Sequence, residues 1–248
     1  MAYIGGMIEI PKLLVFLRTL LFLLNLIPMC TSPIILAEYL KEKVSSLSNS
    51  SRYIVSVAGI PGSGKTTLCD EVRKHCGTDD VLVIPMDGFH LTRKQLDDLP
   101  NPIEAHERRG AEWTFDGQGL IELVRNLRDK PQGIFHAPTF DHALKDPIQD
   151  DLVVLPSHRL IIIEGLYLHL GIKPWSELSE LVDEQWFVQT PPSVANQRVE
   201  IRHVHSGICK SIEEARVRVE TNDALNGQFI LENSLKPTRY IVLEDHSS

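Results

Sequence analysis

The chain has 248 residues, which is enough for one large α/β domain or two small ones. Hydrophobic residues make up 43% of the sequence and charged residues 23%, an ordinary globular composition that excludes a disordered or fibrous chain. Because 33 acidic residues outnumber 25 basic ones, the net charge is −8 and there is no chain-wide basic field to bind nucleic acid. We therefore expect any phosphate group to be bound by a local motif.

The cysteines give no sign of a disulfide framework or a zinc site. The four of them, at positions 30, 69, 76 and 209, form no CxxC pair and have no regular spacing with histidine. Free cysteines of this kind are typical of a reducing compartment. The sequence therefore predicts a cytoplasmic protein, with a membrane-anchored protein as the alternative.

The alternative of a membrane-anchored protein rests on an apolar segment at residues 13–29. Arg18 and Asn25 interrupt it, whereas a membrane-spanning helix needs about 20 apolar residues and tolerates a central charge poorly. As a secretory signal it has only Lys12 in its basic region. A membrane anchor or targeting segment, a helix docked on the domain and an appendage without function all stay open. We assign residues 1–33 to this extension and residues 34–248 to the main domain.

From residue 34 onward the sequence alternates helical and strand patterns. Residues 34–47 carry apolar side chains at helical spacing. The other helical stretches are residues 66–74, 119–128, 193–205 and 211–225, and the apolar strand runs are residues 53–58, 81–86, 160–163, 184–189 and 239–243. Continuous apolar strands separated by helices predict an α/β fold whose parallel sheet is covered by helices on both faces.

Between the first strand and the next helix, eight residues match the phosphate-binding pattern GxxxxGK[ST] in full. The glycines let the main chain wrap around a phosphate, and the N-terminus of the helix adds a partial positive charge. Lys65 is placed to reach the β- and γ-phosphates of ATP, and the Thr66 hydroxyl is placed to bind Mg²⁺. The predicted nucleotide-binding residues are Gly59, Ile60, Pro61, Gly62, Ser63, Gly64, Lys65, Thr66 and Thr67.

Two acidic residues at the ends of buried strands complete the predicted phosphate site. Glu164 follows the strand at 160–163, where a carboxylate beside the P-loop would hold Mg²⁺ directly or through water. Asp87 follows the strand at 81–86 and is placed to accept the proton of a substrate hydroxyl. Each acid has an alternative role in holding the following turn. No NKxD motif is present in the sequence, which disfavours a GTPase switch.

Together these motifs resemble a family of P-loop kinases. The ordered set GIPGSGKTT, MDGFH, ERRGAEWTFD, FDHALKDP, IIIEGLYL and RVEIRH is similar to the family of uridine kinase, pantothenate kinase and phosphoribulokinase. The chain looks nearest to a less characterised ATP-dependent kinase branch of it. The resemblance implies the P-loop NTPase fold, with a five-stranded parallel sheet and a helical lid. It also implies transfer of the ATP γ-phosphate to a small-molecule hydroxyl, with Asp87 as the catalytic base.

The resemblance extends to substrate contacts. His90 lies close to where some relatives place an aromatic substrate contact. Arg108 and Arg109 stand in a segment that resembles the substrate loop of pantothenate kinase, where an arginine is placed to hold an anionic group. His142 matches the histidine of a Tyr-Ser-His segment in the same relatives. The two residues before it differ from that segment here, so the identity of the acceptor does not carry over.

A lid is predicted from the arginines of the helix at 193–205. Arg198 and Arg202 are four residues apart, hence on one face. The resemblance implies that they act catalytically by closing over the ATP phosphates and excluding water. His203, His205 and Lys210 are explained equally well as lid surface. The resemblance implies that Asn222, Asp223 and Asn226 lie near the adenine end, and a helix C-terminal cap explains Asn222 nearly as well.

The sequence thus predicts a kinase that uses ATP and Mg²⁺ and whose partners are ATP and a small-molecule acceptor of nucleoside, vitamin or sugar type. The first alternative is a nucleotide-binding regulatory protein with a decayed substrate site, which the intact Lys65, Asp87 and Glu164 disfavour. A membrane-tethered ATPase that uses residues 13–29 ranks last, because a second set of ATPase motifs is missing. Formation of a homodimer is left open.

Overall fold

The structure is a computed structural model of the chain and describes residues 32–48, 50–77, 80–141 and 143–243. The apolar segment at 13–29 and the predicted substrate contact His142 lie outside these residues. Within the described ranges, no helix combines the length and the apolar character needed to cross a membrane. The first described helix begins at Pro33 with Ser32 as its N-cap. The division of the chain at residues 33 and 34 stays a prediction.

The predicted five-stranded parallel sheet is present. Across the described ranges the strands are β1 (Tyr53–Ala58), β2 (Val81–Pro85), β3 (Phe135–Asp141), β4 (Asp146–Val154), β5 (Leu160–Glu164), β6 (Glu184–Val188) and β7 (Arg239–Ile241). Five of them form a sheet in the order β2-β5-β1-β6-β7, in which every pair of neighbours runs parallel. The predicted fold class is therefore confirmed.

Helices follow most of the strands along the chain. The described α-helices are α1 (Pro33–Ser45), α2 (Lys65–Cys76), α3 (Arg93–Asp97), α4 (Pro102–Glu107), α5 (Gly117–Asp129), α6 (Pro192–His205), α7 (Ile212–Arg218) and α8 (Ala224–Asn233). Short 3₁₀ turns occupy Met86–Phe89, Glu112–Thr114 and Trp175–Glu180. A π-helical turn, Val219–Asp223, joins α7 to α8.

Side chains of the sheet enter two cores, one on each face. On β1, Ile54 shares a core with Leu120 of α5. The next residue, Val55, shares the other core with Leu36 of α1 and Leu68 of α2. Successive residues of a strand point to opposite faces, so a strand that is buried throughout, as β1 is, needs cover on both sides. The predicted helices on both faces are confirmed.

The antiparallel hairpin of β3 and β4 is not predicted by the sequence. Pro138 and Pro147 interrupt the strand pattern, and much of β4 is exposed, so it lacks a continuous apolar run. The hairpin approaches the 3₁₀ turn at Met86–Phe89 closely: a Cβ atom on Gly88 would lie 2.0 Å from the Pro138 carbonyl oxygen. Because glycine has no Cβ atom, the hairpin can lie directly beside Asp87.

The predicted helix at residues 211–225 begins correctly and ends wrongly. α7 begins after an N-cap at Ser211. The helix then continues through the π-helical turn and α8 as far as Asn233. Asn222 lies inside the π-helical turn and is only 8% exposed, so the interpretation of this residue as a C-terminal cap is wrong. A π-helical turn shifts the helical register by about one residue and is rare, so periodicity does not anticipate it.

Candidate active site

The P-loop connects β1 to α2, and its shape requires its glycines. Gly62 and Gly64 have φ angles of +77° and +92°, in the left-handed region that favours glycine. At Gly62 a Cβ atom would also lie 2.2 Å from the main-chain oxygen of Ala195 in α6. The loop is therefore thin enough for α6 to pack against it. The N–H groups at the start of α2 suit an anion at the same place.

Four side chains that the sequence assigns to the phosphate site meet at the carboxyl edge of the sheet. Glu164, the last residue of β5, lies opposite Pro85 of β2 in the strand register, and Asp87 follows two residues later. Lys65 and Thr66 begin α2 after the P-loop. Lys65, Thr66, Asp87 and Glu164 all line one cleft. The alignment of parallel strands thus brings together residues that are up to about a hundred positions apart in the sequence.

Lys65 and Glu164 form the electrostatic centre of this cleft. Lys65 is buried, and its Nζ donates a hydrogen bond to the Ile60 carbonyl oxygen at 3.1 Å. Burial lowers the pKa of Lys65, while the carboxylates of Glu164 and Asp87 act in the opposite direction. Burial raises the pKa of Glu164, and the Lys65 ammonium opposes this change. Burial alone favours the neutral forms of both side chains. The attraction between the Lys65 ammonium and the Glu164 carboxylate stabilises their charged forms.

The oxygen groups beside Lys65 fit Mg²⁺. The Thr66 hydroxyl and the Glu164 carboxylate line the cleft together, and the hydroxyl acts to lower the pKa of Glu164. The exposed carboxylate of Asp87 lines the same cleft. The described ranges hold no group of three or more His, Cys, Asp or Glu side chains suited to a metal. Mg²⁺ is commonly bound through one or two carboxylates together with substrate phosphates, so this donor set fits a magnesium ion shared with ATP.

Arg109 lies in the wall of the cleft, where internal bonds engage its guanidinium. Nη2 donates to Asp146 Oδ1 at 2.7 Å and to the Leu91 carbonyl oxygen at 2.8 Å, and Nη1 donates to the Lys145 carbonyl oxygen at 2.5 Å. The guanidinium also lies 5.6 Å from the centre of the Phe140 ring. Its side chain is 15% exposed. In this structure Arg109 fastens the β3–β4 hairpin, and its predicted contact with substrate stays a prediction.

Arg108 and His90 also have internal partners. The Arg108 guanidinium donates to the Thr221 carbonyl oxygen at 3.1 Å and to Asn226 Oδ1 at 2.9 Å, which ties its loop to α8 and the π-helical turn. The His90 Nδ1 donates to the Asp87 carbonyl oxygen at 2.8 Å, and its ring packs 4.0 Å from that of Phe115. Neither residue is among those that line the cleft. Their roles as substrate contacts stay predictions.

Helices α6 and α7 and the π-helical turn form the opposite wall. Arg202 of α6 and Arg218 at the end of α7 line the cleft. Arg198, one turn before Arg202, is exposed and does not line it. His203 is 5% exposed, and its Nε2 donates to Asp223 Oδ2 at 2.9 Å. The interpretation of His203 as lid surface is therefore wrong, because the ring is packed inward to hold a carboxylate of the cleft wall.

Arg218 is the cleft arginine that the sequence analysis does not single out. Asn222 and Asn226 follow it at intervals of four residues, and all three line the cleft. Side chains at this spacing share one face of a helix. The sequence contains this four-residue spacing. It does not indicate which face of the helix meets the P-loop, so the spacing alone does not predict that these residues line the cleft.

These observations define the class of protein. A parallel sheet carries a P-loop after its central strand β1. One acid ends the neighbouring strand β5, and another lies two residues beyond β2, the strand next to β5. Helices that carry arginines cover the same cleft. This arrangement is that of a P-loop nucleotide-binding protein whose acids and arginines surround one phosphate site.

No family model matches the chain. A candidate uridine kinase of Schizosaccharomyces pombe is 41% identical over 204 residues, which cover 81% of this chain and 87% of the relative. The ATP-dependent kinase-like protein notR' of Aspergillus versicolor is 46% identical over 153 residues, covering 60% and 89%. The ATP-dependent kinase YFH7 of Zygosaccharomyces rouxii is 30% identical over 227 residues, covering 80% of this chain and 60% of that longer protein.

Solved structures agree with these relatives. A candidate fructose transport system kinase from Silicibacter superposes with a TM-score of 0.75 at 28% identity, over 85% of this chain and 98% of its own. YFH7 from Saccharomyces cerevisiae superposes with a TM-score of 0.75 at 21% identity, over 87% and 100%, and this likeness supports the fold. The chain belongs to the family of ATP-dependent P-loop kinases related to uridine kinase and YFH7. The family predicted from the sequence is confirmed.

Proposed function

We propose that this protein transfers the γ-phosphate of ATP to a hydroxyl group of a small molecule. The observation that carries the proposal is the convergence of Lys65, Thr66, Asp87 and Glu164 on one cleft, in a chain that belongs to a kinase family. A protein that only binds nucleotide needs the P-loop. It has no need of an exposed carboxylate two residues beyond the neighbouring strand.

The proposed reaction is an in-line displacement at phosphorus. The acceptor oxygen forms a bond to the γ-phosphorus while its proton passes to the carboxylate of Asp87. The bond from the γ-phosphorus to the bridging oxygen breaks, and ADP leaves with that electron pair. Lys65 stabilises the negative charge on the phosphate oxygens, since its ammonium is already held at this end of the P-loop.

Magnesium has a defined place in this proposal. Thr66 and Glu164 would hold Mg²⁺ together with the phosphates of ATP. When bound, the ion neutralises part of the phosphate charge. The residues of the chain do the rest, by positioning ATP, accepting the proton and excluding water.

Arginines of the lid are the remaining part of the proposal. Arg202 lines the cleft and is close enough to Lys65 to lower its pKa. We propose that Arg202 contacts the phosphates of bound ATP, and that Arg198 joins it when the lid closes. Closure would exclude water, so that phosphate passes to the acceptor and not to solvent.

A labelled-phosphate screen tests the proposed function. The full-length protein is incubated with Mg²⁺, ATP that carries radioactive phosphorus at the γ position, and pools of nucleosides, sugars and vitamins. We expect the label to appear in one organic product, and to disappear from it when the metal is chelated. Label released only as inorganic phosphate would indicate an ATPase. A protein that binds ATP and releases no label with any pool would favour the regulatory alternative.

A further inference from the structure

The loop segment at residues 108–110 is bonded on one side to the helix that packs on the P-loop and on the other side to the hairpin. We infer that Arg108 and Asn226 are positioning residues, and that the contact between them transmits the binding of ATP at the P-loop to the hairpin beside Asp87. Neither side chain touches a substrate in this role. The inference rests on the proposed function, because it concerns how the ATP site and the acceptor site of one reaction act together.

On the nucleotide side, helix α8 packs directly on the P-loop. A Cβ atom on Gly227 would lie 3.6 Å from the Cβ atom of Ile60 and 3.7 Å from the Cδ atom of Pro61, an ordinary van der Waals separation. Asn226, the residue before Gly227, is 5% exposed and lines the cleft. Because packed atoms leave little free space, order that ATP imposes on the P-loop also limits the movement of this part of α8.

The Asn226 amide is bonded to the 108–110 segment through both of its polar atoms. Its Oδ1 accepts a hydrogen bond from Arg108 Nη2 at 2.9 Å, and its Nδ2 donates to the Gly110 carbonyl oxygen at 3.3 Å. Arg108 Nη1 also donates to the carbonyl oxygen of Thr221 in the π-helical turn, at 3.1 Å. These three bonds fix the segment relative to α8, and through α8 relative to the P-loop.

Gly110 anchors the segment between its two arginines and the core. Its φ angle of +109° lies in the left-handed region that favours glycine. Its N–H donates to Thr114 Oγ1 at 2.9 Å, and its carbonyl oxygen also accepts a bond from the buried Tyr167 hydroxyl at 2.6 Å. Arg108 and Arg109 therefore extend from one anchored turn to different partners, so that order imposed on one arginine limits the movement of the other.

Arg109 joins the same segment to the hairpin. It donates to the carboxylate of Asp146, the first residue of β4, and to the carbonyl oxygen of Lys145 just before it. The hairpin in turn lies against Gly88, the residue after Asp87. Together the segment and the hairpin form the acceptor side of the cleft, because both adjoin the proposed base. Contacts thus run without interruption from the P-loop to the turn that carries Asp87.

A link of this kind has a use in phosphate transfer. If ATP orders the hairpin, then the acceptor site is completed only when the phosphate donor is present. Coupling between two sites is reciprocal, so an occupied acceptor site would also favour the ATP-bound arrangement of the P-loop. This role explains why the two arginines are engaged inside the protein, where a direct substrate contact would require them to release their partners.

Hydrogen–deuterium exchange on the full-length protein tests the inference without an acceptor. Exchange is measured with Mg²⁺, in the absence and presence of a non-hydrolysable ATP analogue at a concentration that calorimetry shows to be saturating. We expect the analogue to slow exchange in the P-loop and, by about threefold or more, in the hairpin strands at residues 135–141 and 146–154. The readout is the ratio of the two rates, because a substitution that merely loosens the hairpin raises both.

Two variants break the contact from its two ends. Asn226→Leu replaces the amide by an apolar side chain of similar size, and Arg108→Met keeps most of the length of the side chain without its guanidinium. In each, the P-loop should still respond to the analogue, whereas the ratio for the hairpin should fall to about one. Gln228→Leu is the matched control, because its exposed amide bonds to Glu232 within α8. It should keep the wild-type ratio. Arg108→Met alone decides if Asn226→Leu does not fold.

The outcomes separate this inference from the proposed function. Exchange that slows in the P-loop and stays unchanged in the hairpin of the wild-type protein overturns the inference alone. A wild-type ratio for the hairpin in either folded variant overturns the role of the contact. If Asn226 held the adenine base instead, Asn226→Leu would lose the analogue and Arg108→Met would keep the hairpin response, which also overturns it. A wild-type protein that does not bind the analogue overturns the proposed function.

Discussion

The two sides of the cleft are built in different ways. The phosphate side consists of a loop of consecutive residues and of acids at strand ends, placed by main-chain pairing within the sheet. The acceptor side is assembled by side-chain bonds between distant segments. Arg109 and Asp146 are 37 residues apart, and Arg108 and Asn226 are 118 apart. Geometry on the first side follows from the sheet, whereas geometry on the second depends on individual side chains.

Because of this difference, we expect substitutions on the two sides of the cleft to affect different properties of the protein. On the phosphate side a side chain can be replaced while the main chain that shapes the loop stays paired, so substitutions there should affect turnover first. On the acceptor side the side chains that face the cleft also hold it together. Substitutions there should change stability and acceptor turnover in parallel.

Lys65→Ala is expected to have the largest effect. The change removes the charge that faces Glu164 and the transferred phosphate, so kcat should fall by at least about 10³-fold and ATP binding should weaken. Single-turnover kinetics and calorimetric titration with ATP measure the two effects. The matched control is Lys74→Ala, on the exposed surface of the same helix, which should keep wild-type turnover. Normal turnover in a folded Lys65→Ala protein would rule out the proposed function.

Asp87→Asn should separate the chemical step from binding. The amide keeps the shape of the carboxylate and removes its basicity, so kcat should fall by about 10²- to 10⁴-fold. ATP affinity should change by less than about twofold, in contrast to Lys65→Ala. Asp98→Asn, at the exposed end of α3, is the control. If Asp87→Asn also loses ATP, then Asp87 belongs with the Mg²⁺ ligands and the base is another residue.

The same contrast decides what the sequence could predict. The five strands are continuous apolar runs, and the P-loop is a contiguous motif, so both were found from local pattern alone. Glu164 and Asp87 were found because acids that follow buried strands must meet at one edge of a parallel sheet. Each of these inferences needs only a few neighbouring residues and one rule of sheet geometry.

The structure of the acceptor side could not be predicted from the sequence, and the reason is physical. The β3–β4 hairpin has prolines and exposed residues, and its position depends on the absence of a side chain at Gly88. The inward orientation of His203 depends on Asp223, 20 residues later, and on a π-helical turn that periodicity does not detect. Pairings of this kind are set by tertiary packing, which local pattern does not contain.

A buried histidine that contacts β1 should give a pH-dependent stability. His169 is 1% exposed, and a hydrogen bond of 2.9 Å joins its Nε2 to Ser56 Oγ on the P-loop strand β1. Burial lowers the pKa of His169 from the ordinary 6.5 to about 3. Below pH 6.5, His169 therefore binds a proton in the unfolded chain and stays neutral in the folded protein. The stability contributed by the neutral ring is complete above that pH and is lost as the pH falls toward 3.

Urea unfolding at several pH values tests this. His169 should contribute about 1.4 kcal/mol of lost stability per pH unit between its two pKa values. His169→Gln keeps a polar side chain near Ser56 and cannot titrate there, so its stability should fall less steeply with decreasing pH by about that amount. Equal slopes in the two proteins below pH 6.5 would contradict burial of the neutral ring.

The smallest expected effect concerns the Arg109–Asp146 pair, and it tests the acceptor side directly. The two side chains are 15% and 32% exposed, so their attraction is partly screened, and a coupling energy of about 1 kcal/mol is expected. A double-mutant cycle with Arg109→Gln and Asp146→Asn, measured by urea unfolding, gives this value. The control cycle is Arg125 with Glu177, a more exposed pair at 3.0 Å, whose coupling should stay below about 0.5 kcal/mol.

The same variants carry a functional readout. Because the hairpin lies against the turn that carries Asp87, Asp146→Asn should lower kcat/KM for the acceptor and leave ATP affinity unchanged. Arg125→Gln should change neither. If Arg109 instead held an anionic group of the acceptor, Arg109→Gln would raise the acceptor KM far more than Asp146→Asn does. Similar losses in both variants would mean that Arg109 acts by holding the hairpin, which is what its three internal hydrogen bonds indicate.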